Sequence, residues 1–268
     1  MNNFRDNMVE RKEKLMGIRA VKIGCMDEDD LVGEGVVKIG VAGTGAVKID
    51  GGNQELYSNK ERAGMAKAIS QIFGWSLSFS KKIGVATYSS SHPECGAGGA
   101  QGFTEEGLIE ETKHLSSEHG ITYTGHLDVV TDESEVPGDS ISWFTRKSGP
   151  HTASEINITV GGGITGKEKQ SLEKEENNKA FDISADWVDY ALKNGADRNE
   201  IIDNLVFQFK LAYAIAEGVR KSGNPFKVYN GGRLDASEVS VNEEVVQEAV
   251  RIADEQIGKG NWKAAAHH

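Results

Sequence analysis

Short apolar runs alternate with amphipathic segments along the first half of the chain. Strands are predicted at the apolar runs, which end in glycine or polar residues, at 19–25, 35–43, 81–89 and 120–130. Helices are predicted where apolar residues recur at helical spacing, at 4–16, 59–73 and 104–119. This alternation of strands and helices predicts an α/β fold with a mostly parallel central sheet flanked by helices.

The second half of the chain is less regular and then becomes helical. Residues 132–180 contain glycine-rich turns and a charged run that is typical of a solvated segment, with INITV at 156–160 as one strand. A helical part begins at 181, with Ser184 as a candidate cap and Gly195 as its stop. Further elements are predicted as helices at 199–223 and 241–257 and a strand at 225–230. We expect a single α/β domain over 1–262, and 263–268 as a tag remnant.

Composition and charge exclude several classes of partner. The chain has 268 residues, of which 38% are hydrophobic and 26% charged, with a formal net charge of −11. This acidity disfavours a nucleic-acid backbone or an anionic membrane surface as a partner. No apolar run of about 18 residues and no apolar signal core is present, so we expect a protein without membrane spans. Two cysteines do not make a disulfide framework, which favours a reducing, cytoplasmic setting.

Both cysteines follow predicted strands. Cys25 ends the first strand, and His92-Pro-Glu-Cys95 follows the third. Because ligands in open α/β sheets gather beyond the carboxyl ends of the strands, we expect these side chains to converge. Two thiolates and an imidazole suit zinc, one ion per chain, or a thiophilic relative such as cadmium.

Other interpretations of these segments remain open. The cysteines could be buried packing residues or form a disulfide. The stretch GAGGAQG at 96–102 could hold a phosphate, and GVAGTGAV at 40–47 has part of a dinucleotide-binding pattern. Either loop would suit an unrelated α/β enzyme that acts on phosphate or nucleotide ligands. His126 could act as a proton shuttle or be a packed strand residue.

The order of these motifs resembles the β-class carbonic anhydrases over residues 1–131. That family has Cys-x-Asp-x-Arg after one strand and His-x-x-Cys after a later one, and this chain has Cys25-Met26-Asp27 and then His92-Pro-Glu-Cys95. The resemblance implies a β-carbonic-anhydrase-like fold that binds zinc through the two cysteines and the histidine. It also implies Asp27 as the catalytic residue, which orients hydroxide or itself coordinates the metal.

The resemblance implies hydration of carbon dioxide to bicarbonate, or hydrolysis of carbonyl sulfide or carbon disulfide, in a homodimer or higher homo-oligomer. One position departs from the family pattern, because Asp29 stands where the motif arginine belongs. That arginine pairs with the motif aspartate, so Asp27 either closes the metal site or finds a distant partner such as Arg146 or Arg233. The alternative expectation is a catalytically disarmed metal-binding or assembly protein of the same fold.

Overall fold

The computed structural model describes most of the predicted elements. Its described residues are 18–26, 36–48, 59–126, 156–161, 164–165, 179–185, 187–219, 226–231, 239–257 and 262–264. The strands within them are β1 (Ala20–Cys25), β2 (Val36–Val41), β3 (Ala86–Ser91), β4 (Thr122–His126), β5 (Ile156–Gly161), β6 (Ile164–Thr165), β7 (Lys179–Ser184), β8 (Phe226–Gly231) and β9 (Trp262–Ala264). The helices are α1 (Asn59–Ile83), α2 (Gly96–Gln101), α3 (Glu105–Glu118), α4 (Trp187–Lys193), α5 (Arg198–Val219) and α6 (Val239–Ile257).

The first sheet has the strand order β4-β3-β1-β2-β6. Its first four strands are parallel, and the two-residue strand β6 pairs antiparallel with β2 at the edge. Strands β1 and β2 are buried along their whole length. One face of each strand carries valine and isoleucine, and the other face carries mostly small residues with the buried lysines Lys22 and Lys38. The predicted α/β fold with a parallel sheet flanked by helices is therefore confirmed.

The strand order creates a crevice at one edge of this sheet. From β1 the chain proceeds to β2 on one side, whereas from β3 it proceeds to β4 on the other side. Because β1 and β3 are neighbours, the strand order reverses between them, and ligands of open α/β sheets bind beyond the carboxyl ends of the strands at such a point. Cys25 ends β1 and His92 follows β3, so the fold places both residues at this crevice.

A second sheet, with the order β7-β5-β8-β9, is parallel throughout. It meets the first sheet where the Gly40 N–H of β2 donates a hydrogen bond of 3.1 Å to Ser184 Oγ at the end of β7. Helices α1 and α5 pack against each other, with Ile72, Phe73 and Leu205 fully buried between sheet and helices. This packing anchors the carboxyl ends of the strands on a rigid core.

Helix α1 is longer than predicted. It runs to Ile83 and β3 begins only at Ala86, so the prediction of a helix end at 73 and a strand start at 81 was wrong. Serines occupy buried positions in this region, so the sequence does not show the apolar spacing of a helix. The Ser76 hydroxyl can be buried because it donates a hydrogen bond to Ile72 O of the same helix at 2.8 Å. The stacked rings of Trp75 and Phe79 extend the helix by an i,i+4 contact.

The sequence predicted a helical part from residue 181, and this prediction was wrong. Residues Lys179–Ser184 form β7, which pairs in register with β5, and α4 begins only at Trp187. Ser184 is therefore a strand residue and not a helix cap, whereas Gly195 follows α4 with φ +80, as predicted for a helix stop. Among the described helices, none is long and apolar enough to cross a membrane.

Candidate metal centre

Cys25 reaches the crevice because it is the last residue of a fully buried strand. Its side chain is 0% exposed. The ladder continues one residue further, since the Met26 N–H donates to Val41 O at 3.1 Å. The position of the Cys25 thiol is therefore set by the sheet and not by a loop.

A tight turn brings His92 and Cys95 to the same place. Glu94 adopts the left-handed conformation with φ +50, which is uncommon for a residue with a side chain and costs about 1–2 kcal/mol. This turn directs Cys95 back toward β1. Cys95 also caps the short helix α2, since its Sγ accepts a hydrogen bond from the Gly98 N–H at 3.4 Å. Backbone strain of this kind is concentrated at functional sites.

The three side chains form one compact buried cluster. The Sγ atoms of Cys25 and Cys95 are 3.4 Å apart, and one donor atom from each of Cys25, His92 and Cys95 lies within 4.8 Å of the other two. Both cysteines are free thiols, because a disulfide needs a separation of about 2.05 Å. The structure thus brings together the three residues that the sequence singled out, and they could hold a metal ion.

The imidazole of His92 is oriented by its own turn. Its Nδ1 lies 3.0 Å from Pro93 O, and since a carbonyl oxygen only accepts, Nδ1 carries the proton. The tautomer leaves the lone pair on Nε2, which is a buried atom. Metal-ligating histidines are held in this way, with the other ring nitrogen donating to a carbonyl or carboxylate.

The donor set and its spacing fit a soft or borderline metal ion. Tetrahedral zinc with Zn–S bonds of about 2.3 Å holds two sulfurs about 3.8 Å apart. The observed 3.4 Å needs a shift of only a few tenths of an ångström, which side-chain rotation of Cys25 or Cys95 supplies. Two sulfurs and one nitrogen leave a fourth tetrahedral position for another ligand.

A pocket of about 540 Å³ opens beside this cluster. Two members of the cluster, His92 and Cys95, form part of its wall. The remaining wall is mainly glycine backbone and apolar side chains, with two carboxylates, and consists of Glu94, Gly96, Gly98, Gly99, Ala100, Phe103, Thr104, Glu105 and Leu108. Two of the three cluster residues therefore border this pocket, whereas Cys25 is fully buried behind it.

A chain of hydrogen bonds connects this pocket to the interior of the sheet. It runs from Tyr123 through Ser91 and His126 to Glu105, with each link between 2.6 and 2.9 Å. Burial raises the pKa of Tyr123, and the Ser91 hydrogen bond opposes this more weakly, so the phenol stays protonated at neutral pH. Sequence reasoning found only His126 of this group. The parallel register that pairs Ser91 with His126 was the missing signal.

Several predicted residues lie outside the described part of the chain. Asp27, Asp29, Arg146 and Arg233 belong to segments whose structure is not described. The two glycine motifs lie in different surroundings. Residues 96–101 form α2, whose glycines line the pocket, and the turn Ala42–Gly45 is buried.

Comparison with known proteins gives no family for this chain. No family model, curated protein or solved structure matches it. The evidence for function is therefore the geometry of the site and the resemblance of its motifs.

Proposed function

We propose that this protein is a zinc-dependent, carbonic anhydrase-like enzyme that hydrates carbon dioxide to bicarbonate. The observation that carries this proposal is the buried cluster of Cys25, His92 and Cys95 beside an open pocket. Bound zinc would supply hydroxide at neutral pH by lowering the pKa of a coordinated water to about 7. The β-class resemblance of the same three positions supports this chemistry over a purely structural ion.

The chain's own residues would hold the ion and shape access to it. The two thiolates neutralise the charge of a divalent ion, and His92, fixed by Pro93 O, presents Nε2 as the third donor. Asp27, which follows Cys25 by two residues, is the proposed partner that orients hydroxide toward the substrate. The small substrate needs little further recognition.

The lining of the pocket suits a neutral electrophile. Phe103, Leu108 and Ala100 supply apolar contacts, and the carboxylates of Glu94 and Glu105 repel an anionic product such as bicarbonate. The volume of about 540 Å³ exceeds what carbon dioxide requires. Carbonyl sulfide and carbon disulfide are neutral, linear and apolar, so they are the alternative substrates. By the same resemblance, we propose a homodimer or higher homo-oligomer in the cytoplasm.

A disarmed metal-binding or assembly protein is the second candidate function. It is favoured by Asp29, which replaces the arginine of the family motif and leaves Asp27 without its usual neighbour. The variant Asp29→Arg separates the two candidates. Hydration activity that appears only in this variant supports the disarmed protein, whereas activity in the parent that the variant leaves unchanged supports an enzyme with a substitute partner.

The proposal is tested by metal content and then by turnover. Elemental mass spectrometry on protein purified without a histidine tag or added metal should find about one zinc ion per chain. The ion should be lost in Cys25→Ser and kept in His114→Gln, since His114 is an exposed residue of α3 that lies outside the cluster. Stopped-flow carbon dioxide hydration by the parent follows. A metal-free parent whose cysteine variants behave like it would overturn the proposal.

A further inference from the structure

The hydrogen-bond chain beside the pocket has a fixed direction. Glu105 as a carboxylate only accepts, so His126 Nε2 must donate to Glu105 Oε1 over their 2.9 Å separation. The other ring nitrogen, Nδ1, then carries the lone pair and accepts from the Ser91 hydroxyl at 2.8 Å. The Ser91 oxygen in turn accepts from the Tyr123 hydroxyl at 2.6 Å. With the imidazole neutral, every proton in this hydrogen-bond chain points toward Glu105, which is one of the residues that line the pocket.

The geometry does not suit a serine nucleophile. Serine, histidine and a carboxylate in sequence are the components of a hydrolytic triad. Here Ser91 is 1% exposed and is held by both Tyr123 and His126, so its oxygen cannot reach a substrate in the pocket. The exposed end of the chain is Glu105, whose side chain is 55% exposed, compared with 16% for His126. Chemistry is therefore expected at the carboxylate.

We propose that Glu105 is the proton acceptor of the pocket and that His126 is its positioning residue. This inference rests on the proposed function, in which a water molecule in the pocket must lose a proton. Glu105 is the group that accepts this proton. An O–H bond of that water breaks, its electron pair stays on oxygen, and the proton passes to a carboxylate oxygen of Glu105. The proton then leaves to solvent buffer from the half-exposed side chain, which restores the carboxylate.

Three features of the structure support this assignment. Glu105 lines the same pocket as His92 and Cys95, two of the three residues of the cluster. Glu105 is the first residue of α3, directly after the cap Thr104, so its backbone is anchored. The hydrogen bonds from β3 and β4 restrain the Glu105 side chain. A general base must be held within hydrogen-bond reach of the proton that it accepts.

The same helix offers a matched control pair. His114 Nε2 and Glu118 Oε1 of α3 are 3.5 Å apart, and their side chains are 63% and 55% exposed. Neither residue borders the described pocket. The variants Glu118→Gln and His114→Phe therefore make the same chemical changes as Glu105→Gln and His126→Phe, away from the site.

The test compares buffer-dependent turnover of these four zinc-loaded variants with the parent. We expect Glu105→Gln to lower kcat by about 10²- to 10⁴-fold at unchanged zinc content. Small imidazole or carboxylate buffers at high concentration should restore much of that loss, which repair of a structural defect would not do. His126→Phe should lower kcat about tenfold with the same restoration, while both control variants match the parent.

A second readout does not depend on activity. Long-range ¹H–¹⁵N NMR on the metal-free protein should find the His126 proton on Nε2, and its exchange with water should be at least tenfold faster in Glu105→Ala. A proton on Nδ1, or unchanged exchange, overturns the positioning role of His126. An active parent whose Glu105→Gln variant is equally active overturns the proton-acceptor role and leaves the proposed function standing. A zinc-loaded parent without activity overturns the proposed function, and the proton-acceptor role with it.

Discussion

Two neighbouring glycines of α2 are expected to differ in how substitution by alanine changes the free energy of unfolding. A Cβ built on Gly98 would lie 2.9 Å from Leu108 Cδ2 and 3.4 Å from Leu108 Cδ1, whereas one on Gly99 meets nothing within 4 Å. Both changes gain the same helix propensity, roughly 1 kcal/mol. Their difference therefore isolates the clash with Leu108, whose side chain is 4% exposed. Overpacking of this kind costs about 1–3 kcal/mol.

We expect the free energy of unfolding of Gly98→Ala to lie about 1–3 kcal/mol below that of Gly99→Ala. Urea unfolding followed by circular dichroism measures this difference, provided that the two variants share one m-value. A backbone shift that relieves the clash at residue 98 would also move its N–H, which donates to Cys95 Sγ, so Gly98→Ala should bind zinc more weakly than Gly99→Ala. Equal stability of the two variants would refute the reasoning, since it would mean that α2 does not pack on Leu108 as described.

Three further predictions concern a helix cap, a histidine and the metal cluster. Thr104→Ala should lower the free energy of unfolding by about 1 kcal/mol in urea titration, because Thr104 Oγ1 accepts from the Gly107 N–H; no change would contradict the cap. Burial beside Phe73 lowers the pKa of His119 below 6.5, so its contribution to stability is present above pH 6.5 and is lost as pH falls through the lowered pKa. Thermal unfolding between pH 7 and 5 should show this loss in the parent and a smaller one in His119→Gln. Zinc at a hundredfold excess over its Kd should stabilise the parent by about 2.7 kcal/mol, reversibly with chelator, and should not stabilise Cys25→Ser.

The strand elements near the site were predictable from local pattern. Runs such as VKIG and VVKIGV are rich in β-branched residues and short, which is typical of strands, and both are buried along their whole length in the parallel sheet. Residues that follow such strands must lie at the carboxyl edge of the sheet, so convergence of Cys25 with His92 and Cys95 could be inferred without coordinates.

Local pattern failed where tertiary contacts determine the structure. Residues 181–183 were predicted to open the helical part with Ser184 as its cap, but pairing with β5 makes them a strand. The second half of α1 was not predicted, because buried serines interrupt the apolar spacing. Such a serine can be buried when its hydroxyl bonds within its own helix. Glu105 lies in the helix predicted at 104–119, but nothing in the chain order indicates that it meets a histidine 21 residues later.

The sequence by itself determined which side chains could bind a metal and at which sheet edge they meet. Residue type sets the donor chemistry, and the strand pattern places Cys25, His92 and Cys95 at the ends of parallel strands. Only the tertiary structure decided that the two sulfurs lie 3.4 Å apart as free thiols, and that a carboxylate held by His126 borders the same pocket. These distances depend on strand register and on the left-handed turn at Glu94, which arise from packing of the whole sheet and not from any local stretch of the chain.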